Sequence, residues 1–276
     1  MECIHGARVS AREQISPLMV RLTLELDEPG AWVSTGVGDE FVHVDFGATS
    51  MDADGHTERH YTVSGLADGG IEMEIFVHGH GQGSEWARTC CVGDRVEISD
   101  PWAYYKPPAD AGLRVLVGDL TALPGIARIL KEASPQERFH VLVEVPDMSE
   151  KRELPSPAQV TTEWRIGGNG IGPSGVCESL RSMHKHGILE PDCYVWVACE
   201  SKESRRARML LRQEVGLPIR QQRLVGYWHA NLEEVMEKWN ALPEEVKEEY
   251  LAIWREDRSD EENWTELEPF LQKHGA

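Results

Sequence analysis

A six-residue segment, Arg59-His60-Tyr61-Thr62-Val63-Ser64, carries side chains that suit a flat, phosphorylated cofactor. The guanidinium of Arg59 is a forked donor for phosphate, the Tyr61 ring offers a stacking surface, and the Thr62 hydroxyl can reach a ring nitrogen. We expect these three groups to project toward the same face of an extended strand, where side chains lie on alternate sides. The segment therefore predicts a flavin site.

A glycine-rich turn follows this segment and has the composition of an anion site. It comprises Val77-His78-Gly79 and Gly81-Gln82-Gly83-Ser84-Glu85-Trp86. Backbone N–H groups in such a turn can approach an anion, and the run from Ser84 is typical of a helix start, which also attracts anions. His78 and His80 lack a third ligand, so we interpret His78 as a hydrogen-bonding group at the cofactor and predict no metal.

The elements that must position these residues begin with short strands. Apolar and polar residues alternate at 20–26, 41–46, 71–77 and 95–98, which is typical of half-buried strands. Five or six such strands with regular turns predict an antiparallel Greek-key β-barrel over residues 1–108. The proline-containing stretch Lys106-Pro107-Pro108-Ala109-Asp110 is a predicted linker.

After the linker, apolar runs alternate with helical patterns. The predicted strands are 113–117, 139–145, 160–164 and 194–198, and the predicted helices are 125–133, 174–186 and 201–215. This order predicts a parallel-sheet α/β nucleotide-binding domain over residues 109–230. Ligands bind at the carboxyl ends of the strands in such sheets. Gly118–Pro124 and Cys199–Arg205 occupy that position.

Residues 231–276 predict an acidic helical extension. They contain fourteen Asp or Glu residues against five Lys or Arg. Leu232, Val235, Met236 and Trp239 recur at helical spacing, and Ser259-Asp260-Glu261-Glu262 matches a capping box. Such apolar stripes either pack on the body of the protein or form a partner-binding or dimerising surface. We expect a monomer, with a dimer through this extension as the alternative.

Composition excludes several classes of protein. The net charge of −19 argues against nucleic acid or an anionic membrane as a partner. No apolar run is long enough to span a membrane, and the first residues lack a secretion-signal pattern, so we expect a cytoplasmic protein. The six cysteines (3, 90, 91, 177, 193 and 199) have no metal-ligand spacing, and we expect buried, reduced thiols.

Five segments, in this order along the chain, match one family pattern. They are Arg59–Thr62, Phe76–Ala87, Gly118–Pro124, Val195–Glu200 with Arg205 and Arg208, and Gly226–Trp228. In these segments the chain resembles the siderophore-interacting proteins, which are FAD-dependent ferric-siderophore reductases of the ferredoxin-reductase superfamily. The resemblance runs from about residue 8 to 230.

The resemblance implies FAD and a nicotinamide cofactor, NADH or NADPH. The residues implied to hold FAD are Arg59, Tyr61, Thr62, Val63, Ser64, His78, Gly79, Gly83, Ser84 and Trp86. Those implied to face the nicotinamide cofactor are Asp119, Thr121, Ala122, Glu200, Ser201 and Arg205. Tyr227 and Trp228 are expected to stack near the flavin until nicotinamide displaces them. Hydride and single-electron transfer need no acid or base from the protein, so no catalytic residue is predicted.

The implied substrate is a ferric siderophore, which relatives hold with basic side chains. Here the corresponding positions are His43, Ser64 and His229, whereas Arg128 is retained. Histidine is only partly charged near neutrality. We therefore expect a pocket of His43, Arg128 and His229 that attracts anions less at pH 7 than at pH 6. Drift on a solvent-exposed face is the alternative.

Three further points stay open in the sequence. Gly167–Pro173 is glycine-dense before a helix but does not have the G-x-G-x-x-G spacing, so we interpret it as a flexible loop. Lys202, Arg205 and Arg206 could pair with the 2′-phosphate of NADPH, yet the C-terminal extension accompanies NADH use in this family, which favours NADH. The rival functions are a flavin reductase for free flavin, a quinone or a redox partner, and a non-enzymatic binding module.

Overall fold

The computed structural model describes residues 3–47, 58–79, 81–230 and 232–274, and its first half is a closed antiparallel barrel. The strands are β1 Ile4–Ser16, β2 Met19–Leu26, β3 Phe41–Asp45, β4 Glu58–Ala67, β5 Gly70–Phe76 and β6 Arg95–Ser99, and helix α1 is Gln82–Thr89. Their order around the barrel is β1-β2-β5-β4-β3-β6. The predicted Greek-key barrel is confirmed.

Strand β1 was not predicted, although it closes the barrel. It pairs with β2 on one side and β6 on the other, with Ala7 opposite both Leu26 and Val96. Of its residues only Ala7 and Val9 are buried. Two small buried side chains among polar ones give too weak an alternation to identify a strand from sequence.

A five-stranded parallel sheet forms the second half. Its strands are β7 Leu113–Gly118, β8 Arg138–Val145, β9 Gln159–Ile166, β10 Cys193–Glu200 and β11 Gln222–Trp228, in the order β11-β10-β7-β8-β9. The helices are α2 Leu123–Lys131, α3 Val176–Lys185 and α4 Ser201–Leu210. One face of the sheet packs on α3 and α4, and the other packs on α2 and reaches the barrel at Met19. The predicted α/β fold is confirmed.

The acidic extension forms three helices, α5 Leu232–Ala241, α6 Glu244–Ile253 and α7 Asp260–His274. The predicted capping box is present, since Glu262 accepts from the backbone N–H of Ser259 at 2.9 Å and Ser259 Oγ accepts from the N–H of Glu262 at 3.3 Å. Helix α7 packs on the α/β half, where the buried Arg208 binds Glu261 at 2.9 Å. None of the helices in the described ranges is long and apolar enough to cross a membrane.

Buried polar contacts fix the barrel against the α/β half. Arg128 of α2 binds Glu40, which precedes β3, at 2.6 Å. The indole N–H of Trp196 in β10 donates to Asp39 at 3.0 Å. Burial raises the pKa of Asp39, and hydrogen bonds from the backbone N–H groups of Tyr105 and Tyr104 and from the Trp196 indole oppose the rise. Both carboxylates are completely buried, and breaking the buried ion pair between Arg128 and Glu40 would be strongly destabilising, so these contacts hold the two halves in one arrangement.

Candidate functional site

Tyr61 and Thr62 project to opposite sides of β4. Tyr61 packs on the barrel core and lies edge-on to Phe46, with 5.7 Å between ring centroids. Thr62, only 6% exposed, lies against Gly125 of α2 and beside Tyr227 of β11. The expectation that the two groups share a face was wrong, because adjacent residues of a strand alternate in direction. Of these two residues, Thr62 is the one that reaches the junction between the barrel and the parallel sheet.

The space above Gly83 is filled by Tyr61. A Cβ on Gly83 would lie 1.6 Å from the Tyr61 hydroxyl oxygen, so only glycine fits at this position in α1. Burial raises the pKa of Tyr61. Trp86, one turn later, packs on Phe46 at 4.6 Å between centroids. Gly83 therefore joins α1 to β4, which carries the Arg59–Ser64 segment, and Trp86 joins α1 to Phe46 directly after β3.

Ser84 links the end of β5 to the start of α1. Its buried hydroxyl accepts from the backbone N–H of His78 at 3.1 Å and donates to the carbonyl of Phe76 at 3.2 Å. The His78 side chain and Gly79 are exposed, and Arg88 donates to the His78 carbonyl. The turn is thus closed by its own side chains, and its exposed residues border the helix N-terminus. His80 lies outside the described residues.

The hydroxyl of Ser64 gives a direct test of whether a cofactor fits here. It is buried, and it has no hydrogen-bond partner within the described part of the chain. Buried hydroxyls in folded proteins are normally paired. Ser64 follows Val63, which is in the barrel core, and lies two residues beyond Thr62. A polar cofactor atom against β4 would satisfy this hydroxyl, so the residues present fit a bound FAD.

At the carboxyl edge of the sheet, the side chain of Asp119 accepts three hydrogen bonds. It accepts from the N–H and hydroxyl of Thr121 at 2.9 and 2.5 Å, and from the indole N–H of Trp228 at 2.6 Å. Burial raises the pKa of Asp119, and these donors oppose the rise. Ala122 is buried at the start of α2. Asp119 therefore holds Trp228 across the tips of β7 and β11.

Asn169 is the residue that the sequence interpretation missed. Its side chain accepts from the N–H of Leu120 at 2.9 Å and donates to the carbonyls of Glu144 and Gly167 at 3.2 and 2.9 Å. The expected flexible loop at 167–173 is therefore anchored beneath the Asp119 turn, and Gly170 lies beside the Trp228 ring. Asn169 has a φ of 57°, a conformation that asparagine tolerates, and an asparagine between glycines was the available signal.

Glu200, Ser201 and Arg205, which were predicted to face the nicotinamide cofactor, lie at the start of α4. Glu200 caps the helix by accepting from the N–H of Glu203 at 2.9 Å. Ser201 Oγ donates to the Trp228 carbonyl at 3.0 Å and lies 3.2 Å from Nε2 of His229. Burial lowers the pKa of His229, with Glu200 opposing and the half-buried Arg205 reinforcing the change. The structure places these predicted residues together at the start of α4, and their role toward the nicotinamide cofactor stays a prediction.

Arg128 does not lie where a substrate could reach it. Its side chain is 2% exposed, and its guanidinium binds Glu40 at 2.6 Å, Glu132 at 2.8 Å and the Val63 carbonyl at 2.9 Å. The prediction of a substrate contact at Arg128 is wrong for this reason. Sequence could not reveal it, because Glu40 lies on a distant part of the chain.

His43 stacks on His60, with parallel rings 4.0 Å apart. His60 is solvent-exposed, and one face of its ring lies against His43. Burial, and then the charges of His43 and Arg59, lower the pKa of His60 to about 4. The expected gain of positive charge between pH 7 and pH 6 is not supported at His229, whose pKa is also lowered.

The thiols divide into two groups. All six cysteines are free; Cys3 and Cys91 are exposed, which corrects the expectation that all are buried. Among the described residues no cluster of three or more His, Cys, Asp or Glu side chains could hold a metal ion.

Comparison with known proteins identifies the family. Residues 43–105 match the siderophore-interacting FAD-binding domain, and residues 111–231 match the siderophore-interacting protein family. The chain is 25% identical over 165 residues to the ferric vibriobactin reductase ViuB of Vibrio cholerae, covering 59% of this chain and 60% of that reductase. It is 24% identical over 163 residues to the NADPH-dependent ferric-chelate reductase of Escherichia coli, covering 58% of this chain and 61% of that protein.

Among solved structures, a siderophore utilization protein from T. fusca superposes with a TM-score of 0.69 at 27% identity. The match covers 83% of this chain and 93% of that one. The matched family segments contain the Arg59–Ser64 strand, the Asp119 turn and the Tyr227–Trp228 end of β11. The chain therefore belongs to the siderophore-interacting protein family, and its barrel carries that family's FAD-binding domain.

Proposed function

We propose that this protein is an FAD-dependent NAD(P)H oxidoreductase that reduces ferric siderophores and releases Fe(II) in the cytoplasm. When bound, FAD would supply the hydride acceptor and the single-electron donor for a reaction in which NAD(P)H and two Fe(III) give NAD(P)⁺, two Fe(II) and one proton. The observation that carries the proposal is the position of Thr62, which brings the barrel's cofactor strand against Gly125 and Tyr227 of the α/β half.

The residues of the chain would bind and orient the two cofactors. Arg59 would bind the FAD phosphates as a charged, forked donor. The buried hydroxyl of Ser64 would form a hydrogen bond with the flavin. The nicotinamide cofactor would lie over the carboxyl edge of the sheet, between the Asp119 turn and the Ser201–Arg205 turn of α4. The hydrogen bond from Trp228 to Asp119 would hold the indole beside this space and exclude water from it.

We infer a preference for NADH from the cations at this edge. Arg208 is buried, where it binds Glu261 and Glu268 of α7, and Arg212 binds Glu261 at 2.9 Å. Arg206 is paired with Glu203 at 2.8 Å. Several arginines near α4 are thus engaged by acidic groups and less able to bind a 2′-phosphate. The relative from Escherichia coli is named as NADPH-dependent, so the preference needs a direct measurement.

Stopped-flow spectroscopy tests the proposal. Purified protein loaded with FAD is mixed anaerobically with NADH or NADPH, and flavin reduction is followed by its absorbance. The reduced protein is then mixed with a panel of ferric chelates. We expect faster reduction by NADH and reoxidation by ferric siderophores. Protein that takes up no FAD would contradict every enzymatic function, including this one.

A second candidate is an oxidoreductase for an uncharged acceptor such as free flavin or a quinone. It is favoured by the lack of a fixed cation at positions 43, 64 and 229 and by the burial of Arg128. Reduced protein that leaves all ferric siderophores unreduced, yet is reoxidised by quinone or free flavin, would support this second function and exclude the first.

A further inference from the structure

An aromatic surface lies on the outer side of β3 and β4. The His43 and His60 rings are parallel within 5° and 4.0 Å apart, and Trp102 lies 5.0 Å from His43. Phe41 forms the buried floor, 5.5 Å from His60 and 6.1 Å from Trp102. Trp102 is 40% exposed. We call these four residues the aromatic face.

This face is next to the position inferred for the flavin. His60 and Thr62 are two residues apart on β4, so they project to the same side of the strand about 7 Å apart. Thr62 contacts the α/β half at Gly125. A molecule stacked on His60 and Trp102 would therefore lie close to Thr62 and to the junction of the two halves, where FAD would be held.

None of the four residues of the aromatic face is a lysine or an arginine, so the face carries no fixed positive charge. His60 is neutral at neutral pH because burial and its neighbours lower its pKa, and Trp102 and Phe41 are uncharged. Arg59, which precedes His60 on β4, projects to the other side of the strand, although its charge is near enough to lower the pKa of His60. Arg128 is held in the interface by Glu40. Since the whole chain carries a net charge of −19, a strongly anionic ligand would be repelled here.

We propose that the aromatic face binds the iron chelate by ring stacking, and that it selects chelates whose donor groups are aromatic rings and whose net charge is near zero. This inference rests on the proposed reductase function and names the substrate class of the same site. Trp102 and His60 determine the selectivity, because planar rings stack on them. Trianionic chelates and aliphatic chelates are the disfavoured classes.

Redox-inert gallium(III) chelates separate binding from electron transfer. Isothermal titration calorimetry on oxidised, FAD-loaded protein compares the neutral tris(hydroxypyridinone) complex, a neutral trihydroxamate complex and a trianionic tris-catecholate complex. We expect the neutral aromatic complex to bind most tightly. Equal affinity for the two neutral complexes, or tightest binding of the trianion, would overturn the proposal. Flavin reduction by NADH, measured in parallel, reports separately on the proposed function.

Three substitutions, one of them a control, then assign the effect to residues. Trp102→Leu should weaken binding of the neutral aromatic complex roughly 2- to 12-fold and leave the trihydroxamate unaffected. Trp254→Leu is the matched control, because Trp254 is 42% exposed but lies in the C-terminal extension, and it should change neither affinity. His43→Lys should tighten binding of the tris-catecholate. Unchanged affinities in Trp102→Leu, or the same loss in Trp254→Leu, would contradict the assignment.

Discussion

Ser64 and Ser84 show how two hydroxyls with the same predicted role differ once the chain has folded. The Ser84 hydroxyl is used by its own turn, between the His78 N–H and the Phe76 carbonyl. The Ser64 hydroxyl is buried without a partner in the described ranges. An unsatisfied buried hydroxyl costs stability, so Ser64 is the one whose state should depend on a cofactor.

Ser64→Ala should therefore have opposite effects on the protein with and without FAD. Without FAD the variant should be as stable as the parent or more stable, by up to about 1–3 kcal/mol, because a desolvated group is removed. FAD affinity should fall by about 0.5–1.5 kcal/mol, the usual contribution of one hydrogen bond. Thermal unfolding monitored by circular dichroism and quenching of flavin fluorescence measure the two effects.

Ser84→Ala is the control for this prediction. It removes two observed hydrogen bonds, so it should destabilise the protein even without FAD. If Ser64→Ala destabilises the FAD-free protein as much as Ser84→Ala does, or leaves FAD affinity unchanged, Ser64 is not a cofactor contact.

His60→Phe should make the free energy of unfolding depend less on pH between about pH 6.5 and about pH 4. The pKa of His60 is about 4 in the folded protein and about 6.5 in an unfolded chain. Between these values the unfolded state binds a proton that the folded state does not, so the parent's free energy of unfolding falls as the pH drops from about 6.5 to about 4. Phenylalanine keeps a ring against His43 but binds no proton.

Urea unfolding at about pH 7 and about pH 4.5 measures this effect. The free energy of unfolding of the parent, relative to His60→Phe, should be lower at the acidic pH. A difference that stays constant with pH would show that His60 is not held neutral by its surroundings.

At the scale of elements, helix α2 is attached to the barrel through Arg128. The guanidinium lies between Glu40 of the barrel and Glu132 of its own helix. Gly38 lets the chain pass close to α2, because a Cβ there would lie 2.7 Å from the Ile129 backbone. The helix that follows the Asp119 turn is therefore positioned by the barrel as well as by the sheet.

Arg128→Met should destabilise the protein by about 3–5 kcal/mol, because the buried Glu40 loses its cationic partner and keeps only hydrogen bonds from Ser34 and Thr35. The double variant Arg128→Met, Glu40→Gln should recover part of that loss, since no unpaired charge remains. Arg181→Met, which breaks an exposed pair with Glu214, should cost no more than about 1 kcal/mol.

Urea unfolding of these three variants, with KM for a ferric chelate measured in parallel, separates the two interpretations of Arg128. If Arg128→Met raises KM without loss of stability, the residue contacts substrate and the interface interpretation fails.

For the whole molecule, the net charge affects which ligands can approach the site. The net charge of −19 includes the acidic extension, where part of the negative charge is neutralised by arginines of the α/β half, such as Arg208 with Glu261. The net negative charge of the whole chain produces a long-range field that repels anions before they reach the junction of the two halves.

The rate of reoxidation by a trianionic ferric chelate should therefore rise with salt. Raising the ionic strength from about 0.01 M to about 0.1 M shortens the Debye length from about 30 Å to about 10 Å, which screens the repulsion. A neutral ferric chelate should react at a rate that hardly changes over the same range. Stopped-flow measurements with both chelates test this, and a rate for the trianion that falls with salt would indicate local attraction by cations instead.

The order and type of almost all the elements, the family's cofactor-binding segments and the acidic extension could be predicted from the sequence alone. These features depend on local periodicity and turn chemistry, which neighbouring residues encode. The sequence could not show β1, whose two buried side chains make too weak a pattern. The direction of Thr62 was misjudged, although strand alternation alone would have corrected it.

The tertiary structure decided which predicted residues are available to a ligand. Arg128 is engaged because Glu40, 88 positions away, lies opposite it, and Asn169 anchors the Asp119 turn from 49 positions away. His60 joins His43 and Trp102 in one surface because β3 and β4 pair side by side. Burial and electrostatic pairing depend on neighbours in space, and residues far apart in the chain become neighbours only when the barrel and the sheet pack together.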